Sequence, residues 1–133
     1  MHEIESHDWR EEIWNALTHG VGVLLSLIGS TALITLAALW GDGWQLAGAI
    51  VFGVSLVLLY TASTLYHSIP HLVTKSRMKV LDHCAIFVLI AGSFTPIAVL
   101  GVQGSWKWPA LVMVWAGALG GIGSATARRF AAE

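Results

Sequence analysis

The chain has 133 residues, a formal net charge of −1 and a pI near 6.6, and 56% of its residues are hydrophobic while only 11% are charged. A soluble domain carries about 25% charged residues, so this composition argues against a fold surrounded by water. No basic run accompanies the aromatic residues, which argues against a nucleic-acid partner, and the single cysteine, Cys84, excludes an intramolecular disulfide framework.

Four apolar stretches are long enough to cross a bilayer, because a hydrocarbon core about 30 Å thick needs about 20 apolar residues in a helix. In chain order they cover residues 16–40, 44–66, 81–102 and 108–127. A Gly-Asp-Gly turn separates the first two, a polar run from Pro70 to Lys79 separates the next two, and residues 104–107 precede the last. The sequence therefore predicts an all-α, polytopic transmembrane helical bundle in a single membrane domain.

The residues before the first span are mostly polar and acidic. They lack the basic start and the small-residue cleavage site of a signal peptide, so we expect the first span to remain in the mature protein. Asp8 and Glu11 have the spacing of a capping box. Residues 1–15 are therefore predicted to form a cytoplasmic tail and a short interfacial helix.

Basic residues predict the orientation, since cytoplasmic flanks of membrane spans carry an excess of Lys and Arg. Only Lys107 falls on the side of the first and third connections. The opposite side, which includes both termini, holds Arg10, Lys75, Arg77, Lys79, Arg128 and Arg129. Both termini are therefore predicted to lie in the cytoplasm.

Small residues recur at a spacing of four in two of the spans, a pattern that lets membrane helices approach closely. The first span carries Gly22, Ser26 and Ser30, and the fourth carries Gly117 and Gly121. We expect both stripes to pack against other helices. In the third span Pro96 predicts a kink, with Ser93 or Thr95 bonding the carbonyl that the proline leaves without a donor.

Polar residues gather at the predicted cytoplasmic ends of the second and third spans. Ser63 and His67 are four residues apart, which places them on one helix face, and Asp82 opens the next span at the same side of the membrane. An imidazole is a common zinc ligand, a carboxylate can orient a metal-bound water, and a hydroxyl can hydrogen-bond that water. The alternative is that these groups only occupy the headgroup zone, where charge costs little.

Other polar residues border this region. Glu12, Asn15 and His19 form a stripe along the first helix and could line the same cavity, although a bond from His19 to a neighbouring helix is favoured over metal ligation. His83 follows Asp82 and is a further candidate for the cavity. Cys84 is interpreted as a small packing residue rather than a soft metal ligand.

Three segments together resemble the hemolysin III branch of the progestin and adipoQ receptor superfamily. Residues 11–20, EEIWNALTHG, resemble the opening motif of hemolysin III, and residues 63–68, STLYHS, resemble the S-x3-H motif of the superfamily. Residues 81–83 with Ile86, followed by AGSFTP at 91–96, resemble the block in the third span. The motifs occur in the family's order and extend over about residues 11–100, which corresponds to the N-terminal half of the family.

The resemblance implies a seven-helix fold with a cytoplasmic N-terminus and, as in the receptor members, a zinc site near the cytoplasmic face. It implies that His67 is a zinc ligand, that Asp82 holds the zinc-bound water and that Ser63 is its hydrogen-bonding neighbour. The related receptors and alkaline ceramidases imply hydrolysis of a lipid amide by the full-length protein. The name hemolysin implies a pore-forming cytolysin instead, and an inactive fragment is the third alternative.

One feature departs from the family, whose zinc site is completed by an H-x3-H pair in the last span, because no histidine follows His83 here. Catalytic zinc usually has three protein ligands. We therefore expect a truncated chain or, failing that, a site rebuilt from His19, His83 or a second copy in a homo-oligomer. The expected environment is the lipid bilayer of a bacterial plasma membrane, and the expected substrate is a lipid.

Overall fold

The computed structural model describes the backbone of residues 2–132 and the side chains of residues 9–132. Its elements are α1 (His2–Trp40), α2 (Gly43–Ser68), α3 (Leu72–Gly101), a short 3₁₀ helix (Gly104–Trp106) and α4 (Lys107–Ala132). All four α-helices are long and apolar enough to cross a membrane, and the described residues contain no strand. The predicted all-α membrane fold is confirmed.

Side-chain size is distributed in the opposite way from a soluble protein. Large apolar side chains lie on the outside, and Leu25 and Ile28 are 64% and 68% exposed. Every buried residue in the described part is glycine, alanine or serine. Lipid solvates large apolar groups as well as a protein interior does, whereas small residues let helix backbones approach, so this pattern identifies an integral membrane protein.

The helices pack in series. Within the described residues α1 packs on α2, α2 on α3 and α3 on α4, and no other pair of α-helices brings its Cα atoms within 8 Å of each other. The first two connections are only two and three residues long, so consecutive helices run antiparallel. The beginning of α1, the end of α2 and the beginning of α3 therefore lie at the same end of the assembly.

The predicted stripe on α1 is confirmed as a packing face. Ser26 and Ser30 are buried, the Ser30 hydroxyl donates to the Gly53 carbonyl of α2 at 3.3 Å, and a side chain added at Gly22 would collide with the ring of Tyr60. The prediction for α4 holds only in part. Gly121 packs against the Phe87 ring, but a Cβ at Gly117 would have no neighbour within 4 Å.

Helix beginnings differ from the sequence-based boundaries. The backbone of α1 is already helical from His2, so no capping box at Asp8 starts a helix, and the N-terminal segment continues into the first span without a break. The α3 helix begins at Leu72, well before residue 81, because the His71 side chain accepts from the Thr74 N–H at 3.5 Å and caps it. Polar residues in the first turns of a helix do not prevent helix formation outside the hydrocarbon core.

The proline of α3 also differs in detail from its prediction. Pro96 lies inside a continuous helix, and the carbonyl that lacks its usual donor is that of Gly92. The Thr95 hydroxyl donates instead to the carbonyl of Ala91 at 2.8 Å, because that carbonyl lies one full turn before it. The predicted bond from Thr95 to the carbonyl freed by the proline is therefore wrong.

Candidate functional site

A cavity of about 370 Å³ lies at the end of α2, between three helices. Its polar lining comes from His19 of α1, from Tyr60, Ser63 and His67 of α2, and from Asp82 of α3. One-turn spacing on α2 and the short connection to α3 explain this grouping. The structure thus brings Ser63, His67 and Asp82 to one place, as their positions in the sequence suggested.

Ser63 and His19 form a hydrogen bond between α1 and α2. The Ser63 Oγ lies 2.5 Å from the His19 Nδ1, and Ser63 is only 4% exposed. The His19 ring also stands edge-on to the ring of His67, with centroids 5.6 Å apart. This bond fixes the serine hydroxyl beside the imidazole of His67, and it agrees with the expectation that His19 bonds a neighbouring helix.

A carboxylate and an ammonium group lie on the other side of His67. The Nδ1 atom of His67 is buried, lacks a hydrogen-bond partner and lies 3.4 Å from Oε1 of Glu12. The other carboxylate oxygen of Glu12 accepts a hydrogen bond from the Lys75 ammonium, which also donates to the Tyr66 carbonyl at 3.0 Å. Glu12 therefore lies between an imidazole of α2 and a lysine of α3.

His67 separates two cavities. The second cavity, of about 340 Å³, opens beside the connection between α2 and α3 and is lined by Trp9, Glu12, His67 and Lys75 among others. The His67 side chain is 14% exposed and contributes to the walls of both cavities. Its two ring nitrogens thus have different surroundings, with Nδ1 on the side of Glu12.

Four sequence candidates lie outside this cavity, and one of them, Glu12, lines the neighbouring cavity instead. Asn15 is half-buried on α1 but is not part of the lining. His83 is exposed, and its Nδ1 lies 2.7 Å from the Lys79 carbonyl of its own helix. Cys84 lines a separate, apolar cavity with Ala85 of the same helix, in keeping with a packing role.

Two residues of the site escaped the sequence analysis. Tyr60 lies three residues before Ser63 and seven before His67, so helical spacing alone places it on the same face. Lys75 was assigned to a loop because the polar run around it hid the early start of α3. No pattern in the sequence indicated its contact with Glu12, which lies 63 positions away along the chain.

The donor groups of the cavity can be compared with those that zinc requires. Imidazole and carboxylate are suitable zinc ligands, and the buried, unpartnered Nδ1 of His67 shows that this ring is not committed to a hydrogen bond. However, no three His, Cys, Asp or Glu residues come together as a metal-binding group among the described side chains. A closed three-ligand site needs at least one donor from elsewhere.

The fold and the site define a multi-pass membrane protein with a polar cavity at one end of its helices. A family model described as Haemolysin-III related matches residues 7–133. The chain belongs to this family, which confirms the resemblance found in the sequence.

Individual relatives give the same result. The chain is 50% identical over 113 residues to the Hemolysin-3 homolog of Bacillus subtilis and 42% identical over 113 residues to Hemolysin-3 of Bacillus cereus. Each alignment covers 85% of this chain but only 53% and 52% of the relative. The human monocyte to macrophage differentiation factor is 27% identical over 84% of this chain and 48% of its own length. The chain thus spans about half the length of these relatives, and no solved structure matches it.

Proposed function

We propose that the cavity is this chain's part of a zinc-dependent hydrolase site that cleaves a lipid amide at the cytoplasmic face of a bacterial plasma membrane. The observation that carries the proposal is that three helices place an imidazole, a hydroxyl and a carboxylate around one cavity. Ionisable groups within membrane spans are costly, so such groups usually serve a cavity or a partner. Among residues 9–132, the fully buried residues are only glycine, alanine and serine, whereas His67 and Asp82 at the cavity are half-buried.

Each residue has a role that follows from its position. His67 contributes an imidazole ligand, Asp82 contributes a carboxylate that receives a proton or orients a water, and His19 holds the Ser63 hydroxyl toward the substrate. A zinc ion, when bound, polarises the scissile carbonyl and lowers the pKa of a coordinated water. The missing ligands come from chain segments beyond these 133 residues or from a second copy.

The depth of the cavity supports a lipid substrate. It lies near the end of α2 and in the first half of α3, and the amide of a sphingolipid, between headgroup and acyl chains, would lie near the ends of membrane spans. The cluster of basic residues at this end supports a cytoplasmic location. The two Bacillus relatives support a bacterial plasma membrane as the compartment.

The first test measures zinc and hydrolysis in the same preparation. The purified chain, reconstituted into vesicles that contain a fluorescent N-acyl sphingosine, is assayed for bound zinc by elemental analysis and for release of the fatty acid. We expect His67→Ala to reduce zinc affinity by at least about tenfold, while Asp82→Asn retains more of the metal but loses hydrolysis. His83→Ala is the matched control, because His83 is exposed and lies outside the cavity.

Two outcomes contradict the proposal. Zinc that survives in His67→Ala, or that is lost equally in His83→Ala, places the metal elsewhere. Absence of both zinc and hydrolysis in the unaltered chain, even when mixed with a full-length relative, rejects the site as a hydrolase component.

Membrane lysis is the second candidate function, and the name of the Bacillus cereus relative, Hemolysin-3, favours it. In that case the polar residues of the cavity line a path for water instead of a substrate. The same vesicles, loaded with a fluorescent dye, distinguish the two functions. Dye release that persists in the presence of a chelator, without any amide cleavage, supports the pore and contradicts the hydrolase.

A further inference from the structure

We infer that Glu12 is a positioning residue for His67. Its carboxylate accepts a hydrogen bond from the Nδ1–H of His67, so that Nε2 is the ring nitrogen presented to a ligand in the cavity. The inference rests on the proposed role of His67 as a ligand, but it concerns only residues of this chain. A neutral imidazole carries one N–H, and the bond made by that N–H decides which nitrogen is left to coordinate.

The geometry around Nδ1 leaves one suitable acceptor. This atom is buried, has no hydrogen-bond partner, and lies 3.4 Å from Oε1 of Glu12. A normal N–H···O bond is about 2.9 Å long and close to linear, so a rotation of the imidazole together with an approach of about 0.5 Å closes it. An unpaired buried polar atom costs free energy, which favours this closure. Histidines that bind metals commonly donate their second ring nitrogen to a carboxylate in this way.

Lys75 contacts the other oxygen of the same carboxylate. Its ammonium occupies the second oxygen of Glu12, which leaves Oε1 for His67. The ammonium is itself fixed by the Tyr66 carbonyl at 3.0 Å and lies 4.6 Å from the centre of the Tyr66 ring. Tyr66 adjoins His67 on α2, so the anchor of the carboxylate belongs to the same helical turn as the imidazole it orients.

The same contacts could serve only to hold helices together, because the pair of Glu12 and Lys75 joins α1 to α3, whose Cα atoms do not come within 8 Å of each other in the described part of the chain. The two roles make different predictions. If the ion pair is purely structural, removing the carboxylate of Glu12 and removing the ammonium of Lys75 have the same effect. A positioning role depends on the carboxylate and survives the loss of the lysine.

The experiment reads the protonated nitrogen of each histidine directly. The 133-residue chain, labelled with ¹⁵N-histidine, is prepared free of metal in detergent micelles and in a basic buffer, and the side-chain ¹⁵N shifts of His67 are assigned by comparison with His67→Ala. We expect the proton on Nδ1 in the unaltered chain and its transfer to Nε2 in Glu12→Ala. Lys75→Met, which keeps the carboxylate, and Glu11→Ala, which removes an exposed neighbouring carboxylate, should both retain Nδ1–H.

The signals of His19 report whether a variant is folded, since its Nδ1 contact with Ser63 does not involve Glu12. The inference is overturned if His67 carries the same proton in the unaltered chain and in Glu12→Ala, or if Lys75→Met produces the same change as Glu12→Ala. Zinc affinity is then measured by competition, and we expect a loss of about 10- to 100-fold in Glu12→Ala. If the unaltered chain binds no zinc, the proposed function fails while the metal-free spectra still decide the role of Glu12.

Discussion

Gly92 lies where α3 approaches α2 most tightly, against Ser55. A Cβ built at Gly92 would lie 2.6 Å from the Ser55 Cβ and 3.3 Å from the Val51 carbonyl oxygen. Moving the α2 backbone or Ser55 aside would cost free energy, because Ser55 is 3% exposed and donates to the Val51 carbonyl at 2.6 Å. The absence of a side chain at Gly92 is therefore a requirement of this helix pair.

We expect Gly92→Ala to destabilise the folded chain by about 1–3 kcal/mol, the usual cost of overpacking a well-filled contact. The measurement is thermal or denaturant unfolding in detergent micelles, followed by circular dichroism. Gly117→Ala is the control, since it adds the same methyl group to a helix where nothing lies within 4 Å. Equal stability of the two variants would show that the approach of α2 and α3 at this point is not tight.

The site shows which contacts a sequence can indicate at the residue scale. Regular helical spacing placed Ser63 and His67 on one face, and Asp82 was placed near them because it opens the next predicted span at the same side of the membrane, so these three positions could be inferred. The contact of His67 with Glu12 could not be inferred in this way. The contact between Glu12 and Lys75 depends on the relative placement of α1 and α3, which no local sequence pattern indicates.

At the scale of the helices, the docking of α4 depends on few polar contacts. The Trp115 indole N–H donates to the Thr95 hydroxyl of α3 at 3.0 Å, while that hydroxyl donates to the Ala91 carbonyl. Thr95 therefore acts as donor and acceptor at once. The bond is available because the hydroxyl uses its single hydrogen within α3, so the oxygen can still accept from α4.

We expect Thr95→Val, which keeps the shape but removes the hydroxyl, to weaken the docking of α4 by about 0.6–1.7 kcal/mol, the range for hydrogen bonds between membrane helices. The weaker docking is measured by the fluorescence of Trp115, through its quenching and its emission maximum. The chain used has its other tryptophans replaced by phenylalanine. Thr126→Val is the matched control, because the Thr126 hydroxyl bonds only the Ile122 carbonyl of its own helix. A response of the same size in both variants would assign the effect to the helix itself.

The boundaries of the helices were the least predictable part of the fold. Hydropathy located four spans, because each needs a long apolar stretch, but it ended them where charge begins. The α3 helix extends nine residues further toward its N-terminus than the predicted span, through Lys75 and Lys79. Helix formation outside the hydrocarbon core depends on capping residues such as His71, and a hydropathy average does not detect capping.

At the scale of the whole molecule, the serial packing of four antiparallel helices places both chain ends and the candidate site at one side of the bilayer. Six of the seven basic residues lie on this side and only Lys107 lies on the other. Because such an excess marks the cytoplasmic side, the substrate and the metal of the proposed function would reach the cavity from the cytoplasmic leaflet. The orientation therefore decides which lipids the site can meet.

Cysteine labelling tests this orientation, since Cys84 is the only native cysteine and Cys84→Ser gives an unreactive background. In that background Ser105→Cys reports the connection before α4, and Ser76→Cys reports the beginning of α3; both positions are exposed. We expect a membrane-impermeant maleimide to label Ser105→Cys on intact bacterial cells, and to label Ser76→Cys only after the membrane is opened. The reverse pattern would place the cavity at the outer face, because the two positions lie at opposite ends of α3 and cannot both face the same compartment.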